Sequence, residues 1–141
     1  MNEAHLHLLL NHTPILGSLF GLLVLAVGVV RRNPTITRVG LVSLLGAAAL
    51  AILTQHTGEG AEEVVEKIPG ITHQLIHAHE EAAELGFWAL ELTGALALLA
   101  LLVTTRARLF TLAALAGALL SFGLLARAGN LGGQIRHSEI R

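Results

Sequence analysis

Four long apolar runs constrain this chain more than any other feature of its sequence. They occupy residues 15–30, 39–53, 85–103 and 109–126, and the only charged side chain within them is Glu91. A helix needs about 20 mostly apolar residues to cross the hydrocarbon core of a bilayer, and flanking Thr and Ser residues extend the shorter runs. Because a backbone in lipid must satisfy its hydrogen bonds within the segment, we expect these runs to be helices.

The chain is therefore predicted to be all-α, a single integral-membrane four-helix bundle over residues 1–141 with helical extensions on the outer side. The predicted spans are about 14–31, 36–55, 84–104 and 108–127, with an outer loop over 56–83. Composition agrees, since 13% of the residues are charged, whereas soluble domains are about 25% charged. Small residues such as Gly17 and Gly21 recur at spacings that let membrane helices approach closely, and they would also permit a homodimer.

The connections between the runs differ in charge, and this difference orients the chain. The two short connections carry Arg31, Arg32, Arg38, Arg106 and Arg108 and no acid, whereas residues 57–84 hold seven Glu and one Lys. The positive-inside rule places the basic connections in the cytoplasm. The N-terminus, the acidic segment and the C-terminus then face outward. The first residues lack the basic region and cleavage site of a signal peptide, so we expect the first run to remain in the mature protein.

All of the histidines fall on this predicted outer side, and no apolar run contains one. They are His5, His7, His12, His56, His73, His77, His79 and His137. Neutral imidazole is the commonest protein ligand of transition metals and also binds haem iron. The chain has no Cys, and its only Met is Met1, which excludes thiolate and thioether ligands. Each predicted span brings at least one imidazole to the outer end, so the pattern indicates a metal or haem site there.

Haem b held between two imidazoles from facing helices is the cofactor that we favour. Three motifs, AHLHLLLNH, HQLIHAHEEAAE and GNLGGQIRHSEIR, contain the main candidate ligands. These are His5, His7, His12, His77, His79 and His137, which suffice for one to three haems. His56 and His73 are weaker candidates. Arg127, Arg136 and Lys67 are candidate partners of the haem propionates, because basic side chains pair with carboxylates.

The acidic residues permit other interpretations. His77 and Glu80 have the three-residue spacing of the Glu/His pairs in di-iron bundles, but the other helices supply almost no inward Glu for such a site. For the acidic run near residues 58–67, a solvated helix face is the favoured interpretation. Glu91 is different because an ionisable residue within a span is costly. It is either a proton-relay or quinone-contact residue, or a neutral side chain bonded to a Thr or to the backbone, and the sequence supports both equally.

The stretches HLHLLLNHTPILG, TGEGAEEVVE, HEEAAE and GGQIRHSEIR resemble those of a group of small bacterial inner-membrane proteins with four predicted spans and no characterised activity. The resemblance covers almost the whole chain. It implies a multi-pass protein of the bacterial inner membrane, and the charge pattern then makes both termini periplasmic. Small multi-histidine b-type membrane cytochromes are the architectural analogy that we draw. Five of the six main candidate histidines lie within the matching stretches and His77 lies two residues before HEEAAE, whereas His56 and His73 lie outside them.

Three functions remain open from the sequence. The favoured one is a membrane b-type cytochrome that passes electrons between a quinone or another membrane partner and an outer acceptor. Iron with two imidazoles has no open position, so electron transfer is favoured over substrate conversion. The second is a protein that binds or moves a divalent metal such as Zn²⁺ or Cu²⁺. The third is a non-catalytic subunit of a larger respiratory complex. Nucleic acid is excluded as a partner, because the net charge is −1 and no basic patch with aromatic residues is present.

Overall fold

The computed structural model describes residues 2–140, which form α-helices and two short 3₁₀ turns. The helices are α1 (Glu3–Leu10), α2 (Thr13–Val30), α3 (Pro34–His56), α4 (Gly58–Val65), α5 (His73–Leu102) and α6 (Ala107–Arg136), and the turns are Thr104–Arg106 and Ser138–Ile140. Helices α2, α3, α5 and α6 form an antiparallel bundle in which α2 packs on α3, α3 on α5, α5 on α6 and α6 on α2. The predicted all-α four-helix bundle is confirmed. The two short helices, α1 and α4, pack on each other at one end of it.

Local sequence signals fix where these helices begin. The side chain of Asn33 accepts a hydrogen bond from the amide of Ile36 at 3.1 Å, and Pro34 follows as the first residue of α3. Asn is favoured just before a helix, because its side chain satisfies an unpaired backbone amide. Pro is favoured as the first residue of a helix, because it has no amide hydrogen that needs a partner. Thr72 caps α5 in the same way. Before it, Gly70 has a φ of +86°, which lets the chain turn between α4 and α5.

The bundle differs from a soluble protein in that many large apolar residues are exposed on its surface, while small residues make up much of its core. Ala97, Ala114 and Ala118 are fully buried, whereas Leu92 and Leu119 expose more than 60% of their surface. Close packing of small side chains drives helix association in lipid, where the hydrophobic effect does not act between helices. All four bundle helices are long and apolar enough to cross a membrane, so the structure fits a multi-pass membrane protein.

The ends of the helices extend beyond the predicted spans. At 30 residues each, α5 and α6 are about 45 Å long, whereas the hydrocarbon core is about 30 Å thick. Residues 73–82 of α5 and the last turns of α6 therefore lie outside the spanning segments, as does α1, which precedes the 18-residue α2. The sequence predicted that the fourth span would end near residue 127, but α6 continues as a helix to Arg136.

This extension of α6 contains three glycines, although glycine costs about 1 kcal/mol relative to Ala within a helix. Packing on neighbouring helices explains why the helix continues. A Cβ atom on Gly129 would lie 2.7 Å from Cδ1 of Ile15 on α2, and one on Gly132 would lie 3.0 Å from Cε1 of His79 on α5. These glycines therefore leave room for the side chains of Ile15 and His79, which would have to shift if residue 129 or 132 were larger.

Candidate functional site

The histidines lie together at one end of the bundle, where α2 and α5 begin and where α3 and α6 end. Most of their side chains are exposed: His5, His12, His56, His73, His77 and His137. Three of these approach a carboxylate, in the pairs His73–Glu66 at 3.5 Å, His77–Glu81 at 3.7 Å and His137–Glu139 at 2.9 Å. The structure does not bring these six imidazoles together. Among residues 2–140, no group of three or more His and Glu side chains could hold a metal ion.

His7 on α1 is half-buried against the last turn of α3. Its Nδ1 lies 3.2 Å from the carbonyl oxygen of Thr54 and 3.1 Å from Oγ1 of Thr57. A carbonyl oxygen only accepts hydrogen bonds, so Nδ1 carries the proton and Nε2 keeps a free lone pair. The Thr54 carbonyl lies in the last turn of α3, where it also accepts from the Thr57 amide at 3.3 Å and from the Thr57 hydroxyl at 2.9 Å. Burial lowers the pKa of His7, the Thr54 carbonyl opposes this shift, and the charge of nearby His79 adds to it.

His79 on α5 is half-buried against α6 in a similar way. Its Nδ1 donates to the carbonyl oxygen of Ala128 at 2.9 Å. The ring reaches this carbonyl over Gly132, one helical turn further on, where a Cβ atom would lie 3.0 Å from Cε1 of the ring. Nδ1 is again the protonated nitrogen, because its acceptor is a carbonyl, and Nε2 again has a free lone pair.

His7 and His79 therefore share a geometry that the six exposed histidines lack. Each donates its Nδ1 proton to a backbone carbonyl, and neither Nε2 has a hydrogen-bond partner within the described part of the chain. Histidines that bind metals almost always donate their other ring nitrogen to a carbonyl, carboxylate or water, which fixes the tautomer and the ring orientation. The two rings are also close enough for the charge of His79 to affect the pKa of His7.

As candidate ligands, the two imidazoles match the requirement of haem more closely than that of a bare divalent cation. A structural zinc site takes four protein ligands and a catalytic one takes three, and no such group exists among the described residues. Haem iron needs only axial ligands from the protein, because the porphyrin supplies the other four. The adjoining parts of α5 and α6 offer apolar surroundings, since Ile76, Ala82, Ala128 and Ile135 are buried.

Three further candidates from the sequence are not part of this pair. Arg127 and Arg136 are exposed on the last turns of α6, at the same end of the bundle, and none of the described carboxylates forms an ion pair with them. Glu91 lies within α5, and its Oε1 atom is buried without a hydrogen-bond partner among residues 2–140. It is therefore not bonded to a Thr or to the backbone, which was one of its two interpretations.

The acidic segment contacts α5 through two carboxyl groups. Glu80, in the part of α5 outside the spanning segment, forms a hydrogen bond with Glu62 of α4. Burial raises the pKa of Glu80, and the hydrogen bond and the negative charge of Glu62 raise it further. A hydrogen bond between two carboxyl groups requires one of them to be protonated. This contact therefore responds to pH, while Glu59, Glu63 and Glu66 of the same acidic run are exposed, as expected for a solvated face.

The residues that single out His7 and His79 were missed by the sequence analysis. Thr54 and Ala128 act through backbone carbonyls, which carry no side-chain signal, and Thr57 was not considered. The one detectable signal is the spacing of Ala128 and Gly132, two small residues four apart on α6. Small residues at this spacing mark a face that another element approaches closely.

Comparison of the chain with models of protein families, with curated proteins and with solved structures finds no match. The resemblance to small bacterial inner-membrane proteins thus stays a prediction.

Proposed function

We propose that the protein is a membrane b-type cytochrome that binds one haem between His7 and His79 and transfers electrons. The observation that carries this proposal is the shared anchoring of the two rings, each with Nδ1 on a backbone carbonyl and Nε2 free. Haem supplies a one-electron iron centre when bound. Two axial imidazoles leave that iron no open position, which favours electron transfer over oxygen chemistry.

The proposal narrows the expectation of one to three haems to a single one. The other six imidazoles are exposed, and three of them approach Glu side chains. We assign Arg127 and Arg136 as candidate partners of the propionates, because they are basic residues at the same end of the bundle. By the positive-inside rule, this end faces the periplasm of a bacterial inner membrane. A quinone or another redox protein would be the electron-transfer partner.

Matched histidine variants test the proposal. The full chain is made in haem-replete bacterial cells, and the pyridine haemochrome assay measures the type of haem and the amount per chain. We expect haem b at about one per chain, because one anchored imidazole pair provides two axial ligands. His7→Ala and His79→Ala should each lose the bis-imidazole spectrum. His5→Ala and His77→Ala are the matched controls, since each removes an exposed imidazole two positions away on the same helix, and both should keep it.

Two outcomes would contradict the proposal. A colourless protein that takes up no added haemin would rule out the haem proposal. Equal loss of haem in the control variants would show that binding does not depend on the anchored pair. Far-UV circular dichroism and size-exclusion chromatography of each variant separate loss of haem from loss of the fold. Elemental analysis of the same preparations detects zinc or copper, and a stoichiometric metal without haem would favour the divalent-metal alternative.

A further inference from the structure

The opposite end of the bundle carries positive charge that nothing in the described chain neutralises. Its basic side chains are Arg31, Arg32, Arg38, Arg106 and Arg108. Every Glu lies at the histidine end except Glu91, which lies within α5. Among residues 2–140, the carboxylates pair only with histidines. These guanidinium groups are therefore available to an anionic group from outside the chain.

A shallow groove of about 320 Å³, widely open to its surroundings, lies at this end along one face of the first turns of α3. Its lining residues are Thr35, Arg38, Val39, Val42 and Ser43. Thr35 and Arg38 make the mouth of the groove polar. Its length is apolar, because Val39 and Val42 are about half exposed there. The Ser43 hydroxyl donates to the Val39 carbonyl at 2.9 Å. Thr35 and Arg38 are exposed and have no side-chain partner in the described part of the chain.

The groove has the orientation of a phospholipid in the bilayer. Thr35 and Arg38 lie at the first turns of α3, at the edge of the span, where headgroups lie. From Thr35 to Ser43, the helix rises about 12 Å toward the membrane centre. Arginine at the end of a span keeps its guanidinium group at the interface while its stem covers apolar surface. No other helix of the bundle contributes to the lining of this groove.

We propose that this groove binds one anionic phospholipid of the adjacent leaflet, with its phosphate at Arg38 and Thr35 and an acyl chain along Val39 and Val42. The planar guanidinium group of arginine matches a phosphate with two hydrogen bonds. The Thr35 hydroxyl adds a third donor. A net negative headgroup is favoured over a zwitterionic one, because the surrounding arginines repel the amine of the latter.

Native mass spectrometry of the purified full chain tests the site. The protein is incubated with phosphatidylglycerol and phosphatidylethanolamine that carry identical acyl chains, in about 0.15 M salt, where exposed charges are screened beyond about 8 Å. We expect one phosphatidylglycerol to be retained in preference to phosphatidylethanolamine. Arg38→Gln should weaken this binding about tenfold, since it removes hydrogen bonds between charged groups. Arg31→Gln removes the same charge outside the groove and should change it by less than about threefold.

A second variant tests the acyl-chain part of the site without altering charge. Val42→Phe fills the groove with an apolar side chain, so it should also weaken phosphatidylglycerol binding. Leu50→Phe, two turns further along an exposed part of α3, is its control and should not. Equal effects of Arg38→Gln and Arg31→Gln would overturn the proposal in favour of a general attraction between charges. Equal retention of both lipids, or unchanged binding in Val42→Phe, would overturn it as well.

Discussion

The contact between α2 and α3 depends on glycines at points where two backbones nearly touch, and substitution of one of them tests the packing of the bundle. A Cβ atom added to Gly28 would lie 2.5 Å from the amide nitrogen of Thr37 and 2.7 Å from its Cα. A Cβ added to Gly40 would lie 2.6 Å from the amide nitrogen of Leu25. These neighbours are backbone atoms, so no side-chain rotation relieves the clash and the helices must move apart.

Gly28→Ala is expected to lower the free energy of unfolding by about 2 kcal/mol, within the range measured for overpacked cores. This shifts the equilibrium between folded and unfolded protein by a factor of about 30. Gly46→Ala is the matched control, because nothing lies within 4 Å of the position where its Cβ would stand. The control should be neutral or up to about 1 kcal/mol more stable, since Ala favours a helix over Gly.

Unfolding in mixed micelles with a rising mole fraction of dodecyl sulfate provides the measurement. Far-UV circular dichroism follows helix content, and the fluorescence of Trp88, the single tryptophan, follows the environment of α5. If Gly28→Ala and Gly46→Ala have the same stability, then α2 and α3 do not approach as closely as described. A loss of stability in Gly46→Ala alone would indicate that the exposed face of α3 is covered by another molecule.

Three further predictions concern α5 and its neighbours. The Thr93 and Ser121 hydroxyls lie 3.1 Å apart, but each already donates its single proton to a carbonyl of its own helix. A double-mutant cycle of Thr93→Val and Ser121→Ala should therefore give a coupling energy of only about 0.6 kcal/mol. A coupling energy above about 1.7 kcal/mol would refute this account. The raised pKa of Glu80 stabilises its contact with Glu62 below the ordinary carboxyl pKa, and this contribution is lost as pH rises through the raised value. Hydrogen exchange of α4 should therefore quicken with rising pH beyond the intrinsic rate, and Glu80→Gln should abolish the excess; an unchanged excess would refute the assignment. Gly132→Ala should displace the ring that donates to Ala128 and shift the midpoint potential of the proposed haem, whereas Gly123→Ala, which meets no atom within 4 Å, should leave the potential unchanged.

The membrane fold could be predicted from the sequence because its determinants are local. Four apolar runs, short basic connections and turn residues such as Asn33-Pro34 and Pro69-Gly70 each act over a few positions. The length of α6 could not be predicted in the same way. Its glycines have low helix propensity, and the contacts of residues 129 and 132 with Ile15 and His79 depend on the fold. Such contacts join residues that are far apart in the sequence.

The candidate site was predictable only as a set of residues at one end of the bundle. Helical periodicity indicates that His77 and His79 point in different directions, but it does not say which of them meets α6. Their sequence neighbourhoods are similar, yet His77 is exposed and lies near Glu81 while His79 is half-buried. The acceptor that separates them is the Ala128 carbonyl, and every residue of a chain carries a carbonyl.

His7 and His79 each donate to a backbone carbonyl, but the two carbonyls lie in different parts of their helices. The Thr54 carbonyl belongs to the last turn of α3 and is shared between His7 and the amide and hydroxyl of the following Thr57. Ala128 lies within α6, so its carbonyl is already close to a helical amide, and His79 reaches its second lone pair across Gly132. The contact of His7 tolerates most substitutions at residue 54, since the acceptor is backbone. The contact of His79 is also sensitive to residue 132, where a Cβ atom would lie 3.0 Å from Cε1 of the ring and the ring would have to shift. The His79 side of the pair should therefore be the more sensitive to mutation of its surroundings, even though the proposed haem would require both imidazoles.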